Sequence, residues 1–142
     1  MTSNLDRFKA IDDAYNARDW EAYSSRLDQA FSGWMLGESK PEGKAEHVQV
    51  AKRFCSVSVD NRVHNTPYIV ALSADDWTCT IARLTGTMTG ALPTVDGKVL
   101  EPTHRTFDTK FATFARWSNG KIVEEYEFLD VAGIMRQIGA TQ

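Results

Sequence analysis

The chain has 142 residues, a formal net charge of −3, 42% hydrophobic residues and 25% charged residues, which suits one globular domain over residues 1–142. This charge offers no basic stripe, so we expect no nucleic-acid binding. No apolar run reaches the 18 residues of a membrane span, and the N-terminus lacks the apolar core of a signal peptide. Cys55 and Cys79 lie far apart in apolar patterns, which favours buried thiols over a disulfide. We therefore expect a cytoplasmic protein without membrane contact.

The first third of the chain has the apolar spacing of helices. A first helix is predicted over residues 4–17, with Ser3 as its cap. Asp19 is expected to cap a second helix, whose apolar stripe continues to Phe31. A third helix is predicted over residues 44–57. No further helical pattern appears before the last dozen residues.

The middle of the chain predicts a long antiparallel meander. A first strand, residues 63–72, is interrupted by Pro67, which indicates an edge or a bulge. Residues 77–89 are rich in threonine, isoleucine and aromatics, as expected of a half-buried strand. Residues 90–102 predict an excursion at one end of the sheet, and residues 103–118 alternate as a strand. Helices followed by a sheet and a closing helix make an α+β arrangement.

The last strand begins after a tight turn at Asn119-Gly120, a dipeptide suited to two central residues with positive φ. From Lys121 the sequence alternates with period two, and strict alternation places Tyr126, Phe128 and Asp130 on one face. The opposite face then carries Val123, Glu125, Glu127 and Leu129. A short helix is predicted from Val131 until Gly139.

Two stretches resemble the SnoaL-like polyketide cyclases, or ester cyclases, of the NTF2-like superfamily. Residues 120–126 (GKIVEEY) match a G-K-I-x-E-x-aromatic strand, and residues 130–139 (DVAGIMRQIG) match the D-x-x-G-[LI]-x-x-Q-[LI]-G helix after it. Residues 84–90 (LTGTMTG) resemble L-T-G-T-H-x-G, with Met88 where histidine is common. The resemblance implies a cone-shaped barrel, in which a curved, mixed or antiparallel sheet wraps the N-terminal helices, with a short C-terminal helix.

Asp130 is the leading candidate for a catalytic residue. The resemblance implies that it is the general acid/base of an intramolecular aldol closure, as is thought for the aspartate at this point in SnoaL-like cyclases. Beside Tyr126 and Phe128 its carboxylate would be desolvated, which would raise its pKa. Asp130 also directly precedes the last helix and is a suitable N-cap, so a purely structural role is the alternative.

His64 and Arg83 are the other polar candidates. His64 shares a predicted strand face with Tyr68, and it either carries a proton for Asp130 or is a hydrogen-bonded structural residue. Arg83 either anchors a substrate oxyanion or pairs with Glu124, for which Arg116 is the other candidate partner.

The remaining histidines predict no metal site. His47 and His104 are expected at the surface, and the three histidines lack the spacing of metal ligands. No phosphate loop or dinucleotide fingerprint is present. We therefore expect neither a metal nor a cofactor.

Aromatic side chains from several elements are expected to surround a cavity for a planar or apolar small molecule, although any one of them could be core. The predicted ligand-binding residues are Tyr15, Trp34, Tyr68, Arg83, Met88, Tyr126 and Phe128. The favoured function is cofactor-independent acid/base chemistry, such as aldol-type cyclisation, isomerisation or hydration, on a small hydrophobic carbonyl or ester compound. The alternative is a non-catalytic binding or dimerisation module. Apolar residues on both faces of the long strands predict a homodimer.

Overall fold

The computed structural model describes residues 2–140, and its elements follow the predicted order of helices, sheet and closing helix. The helices are α1 (Asn4–Ala17), α2 (Trp20–Ser25), α3 (Lys44–Val57) and α4 (Val131–Gln137). The strands are β1 (Leu27–Met35), β2 (Arg62–His64), β3 (Val70–Ala74), β4 (Trp77–Thr87), β5 (Leu92–Pro93), β6 (Val99–Leu100), β7 (Thr106–Ser118) and β8 (Lys121–Leu129). No helix within residues 2–140 has the length and apolar character needed to cross a membrane.

One curved, open sheet carries the fold. Its order is β1-β8-β7-β4-β2, and β3 also pairs with β4 beyond the end of β2. β1 runs parallel to β8, whereas the other neighbours are antiparallel. α1, α2 and α3 cover the inner face, where Phe8 and Ile11 of α1 share a buried cluster with Trp117 and Ile122 of the sheet. The predicted α+β class is confirmed.

Local signals at the helix starts behave as predicted. Ser3 forms a capping box with Asp6, and Asp19 accepts a hydrogen bond from the amide of Ala22. The extension of the second helix to Phe31 is wrong, because α2 ends at Ser25 and the chain enters β1 at Leu27. The spacing of four residues between Leu27 and Phe31 fits a helix. Both residues are instead buried side chains of the strand β1, which is hydrogen-bonded to β8.

Two predicted features of the meander take a more specific form. The strand over residues 63–72 is divided into β2 and β3 by a cis Thr66-Pro67 peptide, at a proline that has no amide hydrogen for a ladder. The excursion over residues 90–102 contains the β5–β6 hairpin. The predicted turn at Asn119-Gly120 is confirmed by φ values of 52° and 76°. Cys55 and Cys79 are free thiols.

The decisive departure from the predicted pattern is a β-bulge in β8. Trp117 pairs with Ile122, whereas the preceding residue, Arg116, pairs with Glu124, so Val123 is an extra residue on the β8 side. A bulge of this kind reverses which side chains point inward beyond it. Ile122 is buried before the bulge, and Glu125 is buried after it. The prediction that Tyr126, Phe128 and Asp130 share the inner face is therefore wrong.

Gly90 lies where β4 leaves the sheet and crosses the end of α3, and its amide donates to the carbonyl of Val57. A Cβ added at Gly90 would lie 2.1 Å from the Ser56 carbonyl oxygen, which belongs to backbone and cannot rotate away. We expect Gly90→Ala to lower the free energy of unfolding by about 3 kcal/mol, since forced overpacking costs about 1–3 kcal/mol and hydrogen bonds are lost as well. Urea unfolding provides the measurement.

Gly43→Ala is the matched control for that substitution. Gly43 has a φ of −75° and no atom within 4 Å of an added Cβ. Its replacement is expected to cost less than about 1 kcal/mol. Equal losses in the two variants would contradict the close approach at Gly90.

Candidate functional site

A cavity of about 100 Å³ lies between the helices and the inner face of the sheet. One part of its lining consists of half-buried apolar side chains, namely Met35, Val50, Phe54, Phe111 and Leu129. The buried part of the lining is called its inner end below. The walls are largely apolar, but the polar lining comprises Asp12, Glu42, His47, Glu125 and Glu127 together with Tyr15, Tyr23 and Thr113.

His47 lies in the first turn of α3 and is buried at the inner end of this cavity, with 5% of its surface exposed. Its Nδ1 lies 3.2 Å from Oε1 of Glu42, and its Nε2 lies 3.1 Å from the hydroxyl of Tyr23. Burial alone would lower the pKa of His47, but the hydrogen bond with Glu42 and the charges of Glu125 and Glu127 raise it to about 9. The ring is therefore an imidazolium at neutral pH.

Glu42 and His47 come together because β1 carries a glycine beside them. Gly33 forms an isolated antiparallel bridge with Glu42, with N–O distances of 2.9 and 2.7 Å. A Cβ at Gly33 would lie 2.9 Å from the ring of Phe31 and 3.2 Å from Nδ1 of His47. The absence of a side chain at Gly33 leaves room for the ion pair.

The bulge at Val123 turns the carboxyl groups of Glu125 and Glu127 toward His47. Oε2 of Glu125 and Oε1 of Glu127 each lie 3.8 Å from Nε2 of His47. Burial and the neighbouring charge of Glu127 raise the pKa of Glu125 well above its ordinary value, against the opposing effect of His47. The Glu125 carboxyl group therefore holds its proton more tightly than an exposed glutamate does.

Asp12 of α1 is a third cavity carboxyl group, with 7% of its surface exposed. Tyr68 donates a hydrogen bond of 2.6 Å to its Oδ2. Burial raises the pKa of Asp12 to about 7, and the charge of Glu127 adds to this effect, whereas the Tyr68 hydrogen bond opposes it. A group that is half ionised near neutral pH can both take and return a proton.

A larger groove of about 560 Å³ adjoins the cavity along α3. Val50 and Phe54 line both spaces. The groove continues between α3, the β5–β6 hairpin and α4, and its lining is mainly apolar, including Met88, Phe107 and Ile134. A polar cavity thus opens beside an apolar groove that is several times larger.

The structure places the three predicted polar candidates away from this cavity. Asp130 accepts a hydrogen bond of 2.8 Å from the amide of Gly133 as the N-cap of α4, and its side chain is 62% exposed. His64 bonds to Thr85 on β4. Arg83 forms two hydrogen bonds with exposed Asp108. The alternatives of a helix cap, a hydrogen-bonded histidine and an ion-paired arginine describe their contacts, although Glu124 is paired with Arg116 rather than with Arg83.

The predicted ligand-binding aromatics divide between two surfaces. Tyr15 lines the cavity, Tyr68 reaches it through Asp12, and Met88 lines the groove. On the outer face of the sheet, Trp34 stacks on Tyr126 and Phe128 packs edge-on against Phe114. The outer aromatics Trp34, Tyr126 and Phe128 do not line the cavity or the groove. The outer face is where the homodimer was expected, and that stays a prediction.

The acidic side chains and the histidine of the cavity were missed by sequence reasoning. The prediction that His47 lies at the surface is wrong, because it is buried on the same α3 stripe as Ala51 and Cys55. Asp12 likewise falls one turn after Phe8 on the buried stripe of α1. Helical spacing could have revealed both. Glu125 carried no such signal, because its inward direction depends on the bulge.

Comparison with known proteins identifies the fold. IdmH of Streptomyces antibioticus, to which a polyketide cyclase activity is attributed, superposes with a TM-score of 0.82 at 17% identity, covering 97% of this chain and 99% of its own. A protein of Jannaschia sp. CCS1, attributed to the SnoaL-like polyketide cyclases, gives 0.81 at 18% identity, with coverages of 98% and 93%. A protein of Catenulispora acidiphila with the ketosteroid isomerase-like fold, solved with trimethylamine, gives 0.72 at 16% identity, with coverages of 94% and 92%.

The sequence itself was compared with protein families and with curated proteins. None of the curated proteins compared with the chain matches it. The model of the SnoaL-like polyketide cyclase family matches residues 6–138, which includes all but the last residue of the stretches that carried the resemblance and nearly all of the described fold. The chain belongs to the SnoaL-like polyketide cyclase family.

Proposed function

We propose that this protein is a cofactor-independent enzyme that moves a proton on the carbon next to a carbonyl group of a small hydrophobic ketone or ester. Such a step underlies both aldol-type cyclisation and isomerisation. The observation that carries the proposal is Asp12, a buried carboxyl group on the cavity wall whose pKa of about 7 suits proton exchange at neutral pH. The catalytic role first assigned to Asp130 passes to Asp12 in this proposal.

The remaining cavity residues can stabilise the negative charge that forms when the α-proton is removed. Removal of the α-proton by the Asp12 carboxylate moves negative charge onto the carbonyl oxygen. The His47 imidazolium, held by Glu42, provides a fixed positive charge in a buried site. The raised pKa of Glu125 favours its protonated form, which can donate a hydrogen bond to the developing oxyanion. Preorganised groups of this kind stabilise the transition state more than the ground state.

The two spaces beside α3 indicate the size of the substrate. A cavity of about 100 Å³ is smaller than the roughly 300–1,000 Å³ of usual small-molecule sites. It admits the reacting carbonyl fragment only. The adjoining groove of about 560 Å³ accommodates an apolar body behind that fragment. We therefore expect a substrate with a compact carbonyl head and a larger apolar portion.

The first test uses α-proton exchange, which requires no knowledge of the final product. Aryl methyl ketones and 1,3-dicarbonyl compounds are incubated with the protein in D₂O containing EDTA, and loss of the α-proton signal is followed by NMR. Because the ionised form of Asp12 is the base, the rate should rise with pH and reach its half-maximum near pH 7. Exchange no faster than in buffer would overturn the proposal. Binding of the same compounds without exchange would favour the non-catalytic binding module.

A further inference from the structure

The cavity lining also brings together more imidazole and carboxyl groups than an acid/base step requires. Nε2 of His47, a carboxylate oxygen of Glu125 and a carboxylate oxygen of Glu127 all lie within 4.8 Å of one another. We propose that these three residues form a binding site for a divalent transition-metal ion of the Zn²⁺ type. One imidazole and two carboxylates are nitrogen and oxygen ligands that Zn²⁺ accepts, and three protein ligands leave a coordination position open to the cavity.

The geometry is close to that of an occupied site. His47 Nε2 is 3.8 Å from each of the two carboxylate oxygens. Ligands on a tetrahedral Zn²⁺, at metal distances of about 2.0–2.2 Å, are about 3.3 Å apart. Each histidine–carboxylate pair would therefore have to close by about 0.5 Å, and the two carboxylate oxygens, which lie within 4.8 Å of each other, by at most about 1.5 Å. In that state the ion displaces the proton on Nε2 of the His47 imidazolium into solvent and takes the lone pair, and the Tyr23 hydroxyl gives up its contact with this atom.

The second coordination sphere is already present. Metal-bound histidines usually pass their other ring N–H to a carboxylate, which fixes the tautomer and turns the remaining nitrogen toward the metal. Nδ1 of His47 has this partner in Glu42, at 3.2 Å, and Glu42 is fixed in turn by its backbone bridge to Gly33. The imidazole is therefore oriented with Nε2 toward Glu125 and Glu127.

Glu125 supplies an independent indication of a ligand. Its side chain is about 6% exposed and lines the cavity. The Glu125 carboxyl group is hydrogen-bonded to the side chain of Glu127, and Nε2 of His47 lies 3.8 Å from it. Two acids that share a largely buried site with one imidazole are costly to ionise unless a further cation approaches them. The cavity is the side from which such a cation reaches them.

The proposal does not depend on proton transfer at Asp12, because neither Asp12 nor Tyr68 belongs to the three-ligand set. A bound ion would take the place of His47 and Glu125 in the charge stabilisation proposed for the metal-free site. Zn²⁺ binding to the metal-free protein is measured by isothermal titration calorimetry, without substrate. Co²⁺ replaces Zn²⁺ in a parallel absorption experiment, since its visible bands are strong when four ligands surround it and weak in the hydrated ion. One Zn²⁺ per chain and strong Co²⁺ bands are expected, whereas Mg²⁺, which prefers six oxygen ligands, should not compete.

Variants separate this site from surface histidines. Glu127→Gln, which keeps the size of a half-buried side chain, and His47→Gln should each weaken Zn²⁺ binding at least 10-fold. Glu42→Gln should weaken it about 10- to 100-fold through the orientation of His47. His64→Gln and His104→Gln are the controls and should bind as the wild type does. The proposal is overturned if the wild type binds no stoichiometric Zn²⁺, or if a control variant loses it while a folded Glu127→Gln keeps it.

Discussion

Replacing Asp12 with asparagine is expected to slow α-proton exchange by a factor of about 10²–10⁴, the usual contribution of a positioned general base. Asparagine keeps the shape of the side chain and an oxygen that can accept the Tyr68 hydrogen bond, but it cannot take a proton. The loss should appear in the rate at saturating substrate, while binding of the same ketones changes little. NMR exchange rates and a ligand titration on the same sample give the two quantities.

Asp130→Asn is the matched control for this prediction. Asparagine caps a helix about as well as aspartate does, so α4 should keep its N-cap hydrogen bond from Gly133. Since Asp130 is exposed outside the cavity, its variant should exchange protons at a rate within about twofold of the wild type. A large loss in Asp130→Asn together with full activity in Asp12→Asn would reverse the assignment.

The free energy of unfolding of the Asp12→Asn variant, relative to that of the wild type, is expected to increase by about 4 kcal/mol between pH 4 and pH 8. In the unfolded chain the pKa of Asp12 is near 3.8, whereas burial raises it to about 7 in the folded protein. Between these values the folded protein holds a proton that the unfolded chain has released. The wild type therefore loses stability as the pH rises to about 7, at about 1.4 kcal/mol for each unit of pH. The asparagine variant carries no such proton.

Urea unfolding of both proteins at several pH values measures this difference. Other titrating groups affect the two proteins alike, so the difference between them isolates Asp12. A difference between Asp12→Asn and wild type that stays constant from pH 4 to pH 8 would mean that Asp12 is not held protonated by burial. The two Asp12 predictions together describe a site that gives up stability for a reactive carboxyl group.

Sequence patterns identified the framework of this fold because that framework follows from local physics. The bounds of α1 and α3, the caps at Ser3 and Asp19 and the turn at Asn119-Gly120 all depend on residues close together in the chain. The division between α2 and β1 was missed, because it depends on pairing with β8, nearly a hundred residues away in sequence. Local spacing at Leu27 and Phe31 suits either structure.

The site was harder to predict than the fold, for a physical reason. Strict alternation places aromatics at Tyr126 and Phe128 inside and the acids Glu125 and Glu127 outside, which is the arrangement that hydrophobicity favours. The structure has the opposite arrangement, since Val123 is an extra residue opposite the Arg116–Trp117 step. The cavity and His47 offset the free-energy cost of burying Glu125. Neither of them can be recognised from the sequence of the strand alone.

The extra residue in β8 also bears on how cavities of this kind diversify. The gain or loss of one residue before Glu125 would shift the inward and outward alternation of the strand by one position. The carboxylates of Glu125 and Glu127 would then leave the cavity, and the neighbouring aromatic side chains would enter it. The hairpin at Asn119-Gly120 and the helix after Asp130 lie outside the affected segment. Two chains of the same fold can thus present different side chains to the cavity from nearly identical strands. Residues that follow the bulge occupy equivalent positions in two such chains only when the bulges are aligned as well.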